Sequence, residues 1–420
     1  MRRSLAVVLF CCACAHGPPA APGGEAAIIE AVRRGNDAYK RKDYEGFLSY
    51  AQRASDLSPQ NPDLQVRVAR ALVLTGKGIE GLALLGRILA LGVAYDLDRA
   101  DWNAVREDPA FARARARLTA NLQPRTAGEI AFTLPAPDLI AEAIGWDEAT
   151  HAFYVSSVHQ RKIVKLDEHG GATDLIPAET EHWGLFGLQI DGARRRLWVG
   201  AAALPQTDGF TKADEGLAGV LLVDLDKGTV EKRFVPPERG HVFGDLGLAP
   251  NGDLWLSDSV GGGVWKIPAD ASGLVRVIAP GTLRSPQGIA FSEDGRRAYI
   301  ADYAQGIFVY DVTAGRLEPL PFPDATLRYG VDGLARSGDA LLAVQNGAIP
   351  HRLARLLLAG NTVERAEIVE SGPALVAPTS GVVVGGDYLY IAVSQWDSFD
   401  EDGKRTGDAP VEIRRIRLRR

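Results

Sequence analysis

Between Trp146 and Ser394 one pattern of apolar and polar positions returns six times. Each copy is an apolar stretch, a polar turn and a second apolar stretch. In order they read GWDEATHAFYVSS from Gly145, LQIDGARRRLWVGA from Leu188, LGLAPNGDLWLSDS from Leu246, IAFSEDGRRAYIADY from Ile289, LARSGDALLAVQN from Leu334 and GVVVGGDYLYIAVS from Gly381. The equivalent bulky residues, Tyr154, Trp198, Trp255, Tyr299, Leu341 and Tyr390, recur 42 to 57 residues apart. One such unit cannot bury its apolar face alone, so the copies must stack. Sheets of about four strands repeating every 40–50 residues or so predict the blades of a six-bladed β-propeller. The stretch GEIAFTLPAP from Gly128 predicts one more strand. Glu129 to Leu134, paired beside the final strand from Val411 to Leu418, would close the ring and leave no sheet edge free. The all-β unit then spans 128–420.

Residues 25–120 follow a helical rhythm instead, rich in Ala, Leu and Arg and without strand alternation. IIEAVRRGNDAYKRKDYEGFLSYAQRASDLSPQNP reads as two helices with a break near Lys42–Asp43 and a stop at Pro59. Gly35, Tyr39, Asp43, Tyr44, Ala54 and Pro59 give it a resemblance to a tetratricopeptide repeat, with Phe47 where that family usually has a small packing residue. A second helix pair, Asp63 to Thr75 and Ile79 to Leu91, is split by Gly76–Lys77–Gly78, and WNAVREDPAFARARARL from Trp102 reads as a capping pair. Two repeats are few for a free-standing solenoid, so this unit is expected to lean on its cap or on the propeller. The fold class is therefore multidomain, with N-terminal all-α tetratricopeptide-like helical repeats followed by an all-β six-bladed β-propeller.

Cysteine placement adds a location. Cys11, Cys12 and Cys14 are the only three, and Arg2 and Arg3 precede the apolar run LAVVLF. That is a secretory leader, too short for a retained membrane span. It resembles a bacterial lipoprotein leader, with Cys12 or Cys14 as the lipidated residue and HGPPAAPGGE as a tether. Residues 1–24 are thus leader and tether. The resemblance implies an exported protein of the bacterial cell envelope, lipid-anchored or secreted, touching membrane only through the lipid. Net charge is −6, with no basic stripe beyond the short Arg414 to Arg420 end, which argues against nucleic acid as a partner.

In a propeller the residues opening the inner strands converge on a central channel. Here they are Glu142, Leu185–Gly187, Gly244–Asp245, Gln287, Asp332 and Thr379–Ser380. Three carboxylates and an amide in one funnel make a candidate hard-cation site. The bland alternative is that each caps a turn or accepts backbone N–H groups. Asp258, Asp302 and Asn346 end second strands, and holding loops between blades is their expected role. No G-x-S-x-G elbow and no G-K-[ST] phosphate loop occurs.

Glu142 before Trp146, PQGIAFSEDGRRAYIAD (Pro286 to Asp302) and VDGLARSGDALLAV (Val331 to Val344) carry a resemblance to the gluconolactonase / senescence marker protein / regucalcin family across all six blades. The resemblance implies a divalent cation, calcium in preference to zinc, held by Glu142, Gln287 and Asp332. It departs from the pattern at three places, the first in blade one, where Ile144 and Gly145 stand for other residues between Glu142 and Trp146 and the proline is absent. Gln287 stands where the family has Asn, and Gly244–Asp245 stands where it has Asn–Asp. If the protein is an enzyme, the resemblance implies a metal-dependent lactonase or esterase, with Asp245 as candidate general base. His241 and His182 lie near the same mouth as alternative bases, and Trp183 and Phe186 as pocket or packing residues. Two readings follow. One is a propeller that binds a small ligand at a central cation site and hydrolyses a lactone or ester. The other is a non-catalytic envelope scaffold whose helical repeats grip a protein or peptide.

Overall fold

The computed structural model describes residues 24–178 and 183–418. The leader with Cys11, Cys12 and Cys14, and His182, lie outside the described residues. Among those residues no helix is long and apolar enough to cross a membrane.

Five helices come first: α1 (Glu25–Lys40), α2 (Tyr44–Leu57), α3 (Pro62–Leu74), α4 (Gly78–Ala90) and α5 (Pro109–Asn121). Their starts are set by local chemistry. The Asp43 carboxylate accepts from Gly46 N at 2.9 Å, and the Asn61 carbonyl from Asp63 N at 2.9 Å. Pro62 and Pro109 sit at first-turn positions, where a missing N–H costs nothing. Each helix packs on the next. Phe47, the oversized residue of α2, is buried among Ala38, Ala51 and Ala71, whose small side chains leave room for its ring. The expected capping pair is half helical. Trp102 lies in a 3-10 turn, Ala100–Val105, because Asp108–Pro109 breaks the chain before a full helix can form.

Asp101, 4% exposed in that turn, ties the helical region together. It accepts from the Tyr39 hydroxyl at 2.6 Å, Arg70 Nε at 2.8 Å and Arg99 Nε at 2.9 Å. Burial alone would raise its carboxyl, but these three donors together hold it below the usual carboxylate range. The stability it supplies is present above the unfolded carboxylate pKa and is lost as pH falls through the lower folded value. Asp101→Asn is expected to cost about 3 kcal/mol at neutral pH, as breaking a buried ion pair does. Urea unfolding of both proteins checks it. A cost that persisted undiminished at about pH 2 would count against this account.

The remainder is six four-stranded antiparallel sheets. Blades one to five run in chain order, with innermost strands Ala141–Asp147, Gly184–Asp191, Phe243–Leu248, Pro286–Phe291 and Val331–Ser337. Blade six is Gly381–Val384, Asp387–Val393 and Val411–Arg417, completed by Glu129–Leu134 from the start of the propeller. Leu134 pairs with Val411 and Phe132 with Ile413, so the ring closes as the sequence predicts. The second strands are buried on both faces between neighbouring blades, which is why AFYVSS and ALLAVQ read as apolar runs rather than alternating ones. Gly145 faces Tyr154, Gln189 faces Trp198, Gly247 faces Trp255 and Ala290 faces Tyr299. In blade five Leu342, not Leu341, takes the equivalent place, opposite Ala335.

The helical region leans on the propeller through a shared core. Val66, Leu85, Trp102 and Phe111 are buried in one cluster with Leu327, Tyr329 and Ala348. Ala94 N donates to Ile349 O at 2.7 Å. Arg352, 2% exposed, donates to Leu91 O at 3.1 Å and Gly92 O at 2.8 Å, at the C-terminal end of α4.

Candidate functional site

Five blades share one device at the channel. Their innermost and second strands pair regularly except for one extra inner residue, between Ala141 and Ile144, Leu185 and Leu188, Phe243 and Leu246, Pro286 and Ile289, and Val331 and Leu334. A bulge of this kind bends a strand and re-aims its side chains. The residues at its first position are Glu142, Phe186, Gly244, Gln287 and Asp332. The spare backbone N–H is satisfied from the second strand in two blades: Ala143 N donates to Ser156 Oγ at 2.9 Å and Asp245 N to Ser257 Oγ at 3.0 Å. Ser257 thus has a structural task.

The second bulge position is Ala143, Gly187, Asp245, Gly288 and Gly333. Little room exists there. A Cβ on Gly187 would come within 2.6 Å of Gly244 O, and one on Gly333 within 2.3 Å of Thr379 O. Blade three alone places a carboxylate at this level. Asp245 lies deep among protein atoms yet is still reached by solvent.

Glu142, Asp245 and Asp332 sense one another. Burial and then the Asp332 carboxylate push both Glu142 and Asp245 well above the usual carboxylate range, and Asp245 adds to the rise at Glu142. Asp332 is itself pushed up to about 6 by burial, against the opposing donation of Asn346. The structure therefore brings together the carboxylates the sequence singled out on blades one, three and five. Gln287 joins them from blade four. Its Nε2 donates to Ser285 Oγ at 3.0 Å, and its Oε1 lies 3.6 Å from where a Cβ on Gly244 would sit. The longer amide of Gln287 thus borders the space left by the bare backbone of Gly244.

His241 is placed differently. Its Nδ1 lies 2.6 Å from Asp258 Oδ2, and its buried Nε2 meets no partner. The ring stacks on Phe243 and meets Trp265 edge-on. Asp258 also accepts from Val242 N and Gly261 N, and Asp302 from Arg284, Ser285, Ala304 and Gln305 N, so both staple loops between blades as expected. In blade five that staple is Gln345, whose amide donates to Leu327 O and Tyr329 O. Asn346 is freed for the channel. Its Nδ2 donates to Asp332 Oδ2 at 2.6 Å and Pro378 O at 2.9 Å, leaving Oδ1 buried without a partner.

Two further residues come from blade six. Trp396 Nε1 donates to Glu142 Oε2 at 2.6 Å, and its ring lies 6.4 Å from Phe186. Tyr388 passes over Gly381, where a Cβ would meet its hydroxyl at 2.6 Å. Burial first, and then the Asp245 carboxylate, raise that hydroxyl. Trp183 packs against the core between blades one and two. Among the described residues no three His, Cys, Asp or Glu side chains form a metal cage by themselves. A cation here would draw on amide oxygens as well, and Gln287 Oε1 and the unpartnered Asn346 Oδ1 are present. This all-oxygen set fits a hard divalent ion. Two grooves lie elsewhere, one of about 590 Å³ beside Trp265 and Arg276 and one of about 470 Å³ between α4 and α5. Converging charge marks the site.

Fold and site define a six-bladed propeller with an acidic central funnel. The sequence matches the family model described as SMP-30/Gluconolactonase/LRE-like region over residues 140–377, more than half of the chain, and the protein belongs to that family. Among curated proteins none matches. A gluconolactonase of Xanthomonas campestris is similar in structure at 16% identity and a TM-score of 0.46, covering 67% of this chain and 87% of that one. A calcium-binding protein, regucalcin, of Agrobacterium tumefaciens is similar at 16% identity and 0.49, covering 69% and 96%.

Proposed function

We propose that the funnel binds a divalent cation and, beside it, a small neutral ligand with a lactone or ester carbonyl, which it hydrolyses. The convergence of Glu142, Asp245 and Asp332 carries this reading: burial holds each above its ordinary pKa, the Asp332 carboxylate adds to the rise at Glu142 and Asp245, and a hard cation would offset both the buried charge and the repulsion. Glu142, Gln287 and Asp332 would hold the ion, calcium in preference to zinc because every donor is oxygen. When bound, such an ion polarises a carbonyl and acidifies adjacent water. The Trp396 indole N–H fixes the orientation of Glu142, and the Asn346 amide that of Asp332. Asp245, outside that trio, is the candidate general base, since burial and Asp332 raise its proton affinity. His241, its Nδ1 engaged by Asp258, is the second candidate through Nε2.

Calorimetry with calcium and zinc on the full chain tests the proposal. Glu142→Gln is expected to weaken binding by about a hundredfold or more, as loss of a charged ligand does. No binding by the parent protein would remove the cation from the reading. The bare Gly244 favours a second reading, ligand binding without turnover. Cation binding without hydrolysis of any lactone would select it.

A further inference from the structure

The helical region stands on the funnel face of the propeller. In an antiparallel blade the connection entering the innermost strand and the turn leaving the second strand lie at the same end. The propeller residues in the shared core come from such segments: Tyr303 after the second strand of blade four, Leu327 and Tyr329 at the entry to blade five, and Ala348 after its second strand. Asp332 lies near the start of the innermost strand of blade five, and Asn346 just past the end of its second strand.

Polar groups run from the carboxylate cluster to the helices. Tyr303 O accepts from Gly330 N at 2.7 Å. The Tyr303 ring meets Tyr329 edge-on at 5.6 Å, and a Cβ on Gly347, next to Asn346, would lie 2.9 Å from the Tyr303 hydroxyl. Tyr329 shares its cluster with Tyr95, whose hydroxyl donates to Asp63 at 2.8 Å. After burial and Tyr329, the carboxylates of Asp332 and Asp63 both raise the Tyr303 hydroxyl, one from each domain. Asp63, Tyr95, Tyr303 and Asp332 all remain partly open to solvent.

We propose that ligand recognition is shared between the two domains: the helical region forms the outer wall of the funnel mouth over blades four and five, where Asp63, Tyr95 and Tyr303 bind the far end of a neutral, hydroxyl-bearing ligand. Phenol and carboxylate groups pair with hydroxyl donors and aromatic faces cover their carbons, whereas an anionic tail would meet Asp63 and Asp332 as like charges. The inference rests on the funnel reading, and its test separates the two. Full-length parent, Asp63→Asn and Tyr303→Phe are compared on a polyhydroxylated aldonolactone and on unsubstituted butyrolactone, with calcium present. Each variant is expected to lower the preference for the hydroxylated lactone about tenfold, through KM rather than kcat, as loss of one hydrogen bond to ligand does. An unaltered preference in both variants would overturn the shared wall and leave the funnel reading standing. So would an equal fall in kcat on both lactones, which would mean that these residues act by positioning Asp332. A parent that neither turns over nor binds either lactone by calorimetry would overturn both.

Discussion

Arg352→Ala is expected to unfasten the helical region from the propeller. The guanidinium is almost wholly buried, and its donors go to Leu91 O, Gly92 O and, more weakly, Pro350 O. Burial, and then Arg125, lower its pKa to about 10, with Tyr95 opposing, so it stays charged at neutral pH. A cation beside the last carbonyls of α4 is favourable in the field of the helix. Alanine would leave those half-buried carbonyls without the Arg352 donors and open space beside Ile368, which also packs near Gly92. The expected cost is about 3–5 kcal/mol, the range for breaking a buried polar network. Lysine, a point charge without the planar fork, is expected to recover about half of it. Thermal unfolding of the alanine variant should show loss of helical signal ahead of the β signal, with new protease cleavage in 122–128. A single transition at the parental temperature with the parental cleavage pattern would refute the latch.

That latch was not legible in the chain. Arg352 opens RLARLLLA as an ordinary strand residue, and only the helices covering blade five make it interior. The blades were legible, because apolar strands and polar turns recur at one spacing and neither depends on distant residues. Glu142, Gln287 and Asp332 could be found for the same reason, each standing at the same step of its repeat. The bulge at that step could not, since one extra residue leaves the apolar pattern intact while turning the side chains that follow. A one-residue offset also separated Gln345, the loop staple, from Asn346, which reaches Asp332. Trp396 and Tyr388 lie far in sequence from the carboxylates they approach. The one local trace of Tyr388 is Gly381, a bare inner-strand start that leaves its hydroxyl room.

Asp332→Asn is expected to move stability and binding in opposite directions. In the cation-free protein the Asp332 carboxyl is pushed up to about 6, whereas an unfolded Asp keeps its ordinary value of 3.8. The folded state therefore holds a proton that the unfolded chain has released. Stability from this group is full below the unfolded value, falls as pH rises toward about 6, and stays low above it. At neutral pH the charged form costs on the order of 1–3 kcal/mol, allowing for the water that still reaches it. Asparagine removes the charge and keeps an oxygen to accept from Asn346 Nδ2. The variant should melt several degrees above the parent at neutral pH without cation, and the gap should close as pH falls below about 4. With calcium the order should reverse, because ligand binding stabilises only a protein that binds it, by about 3 kcal/mol at a hundredfold excess over Kd. Melting curves at two pH values, with and without calcium, therefore test both halves at once. A variant less stable than the parent in the absence of cation would show that Asp332 is satisfied where it stands, and the carboxylates of blades one, three and five would then need no ion to hold them together.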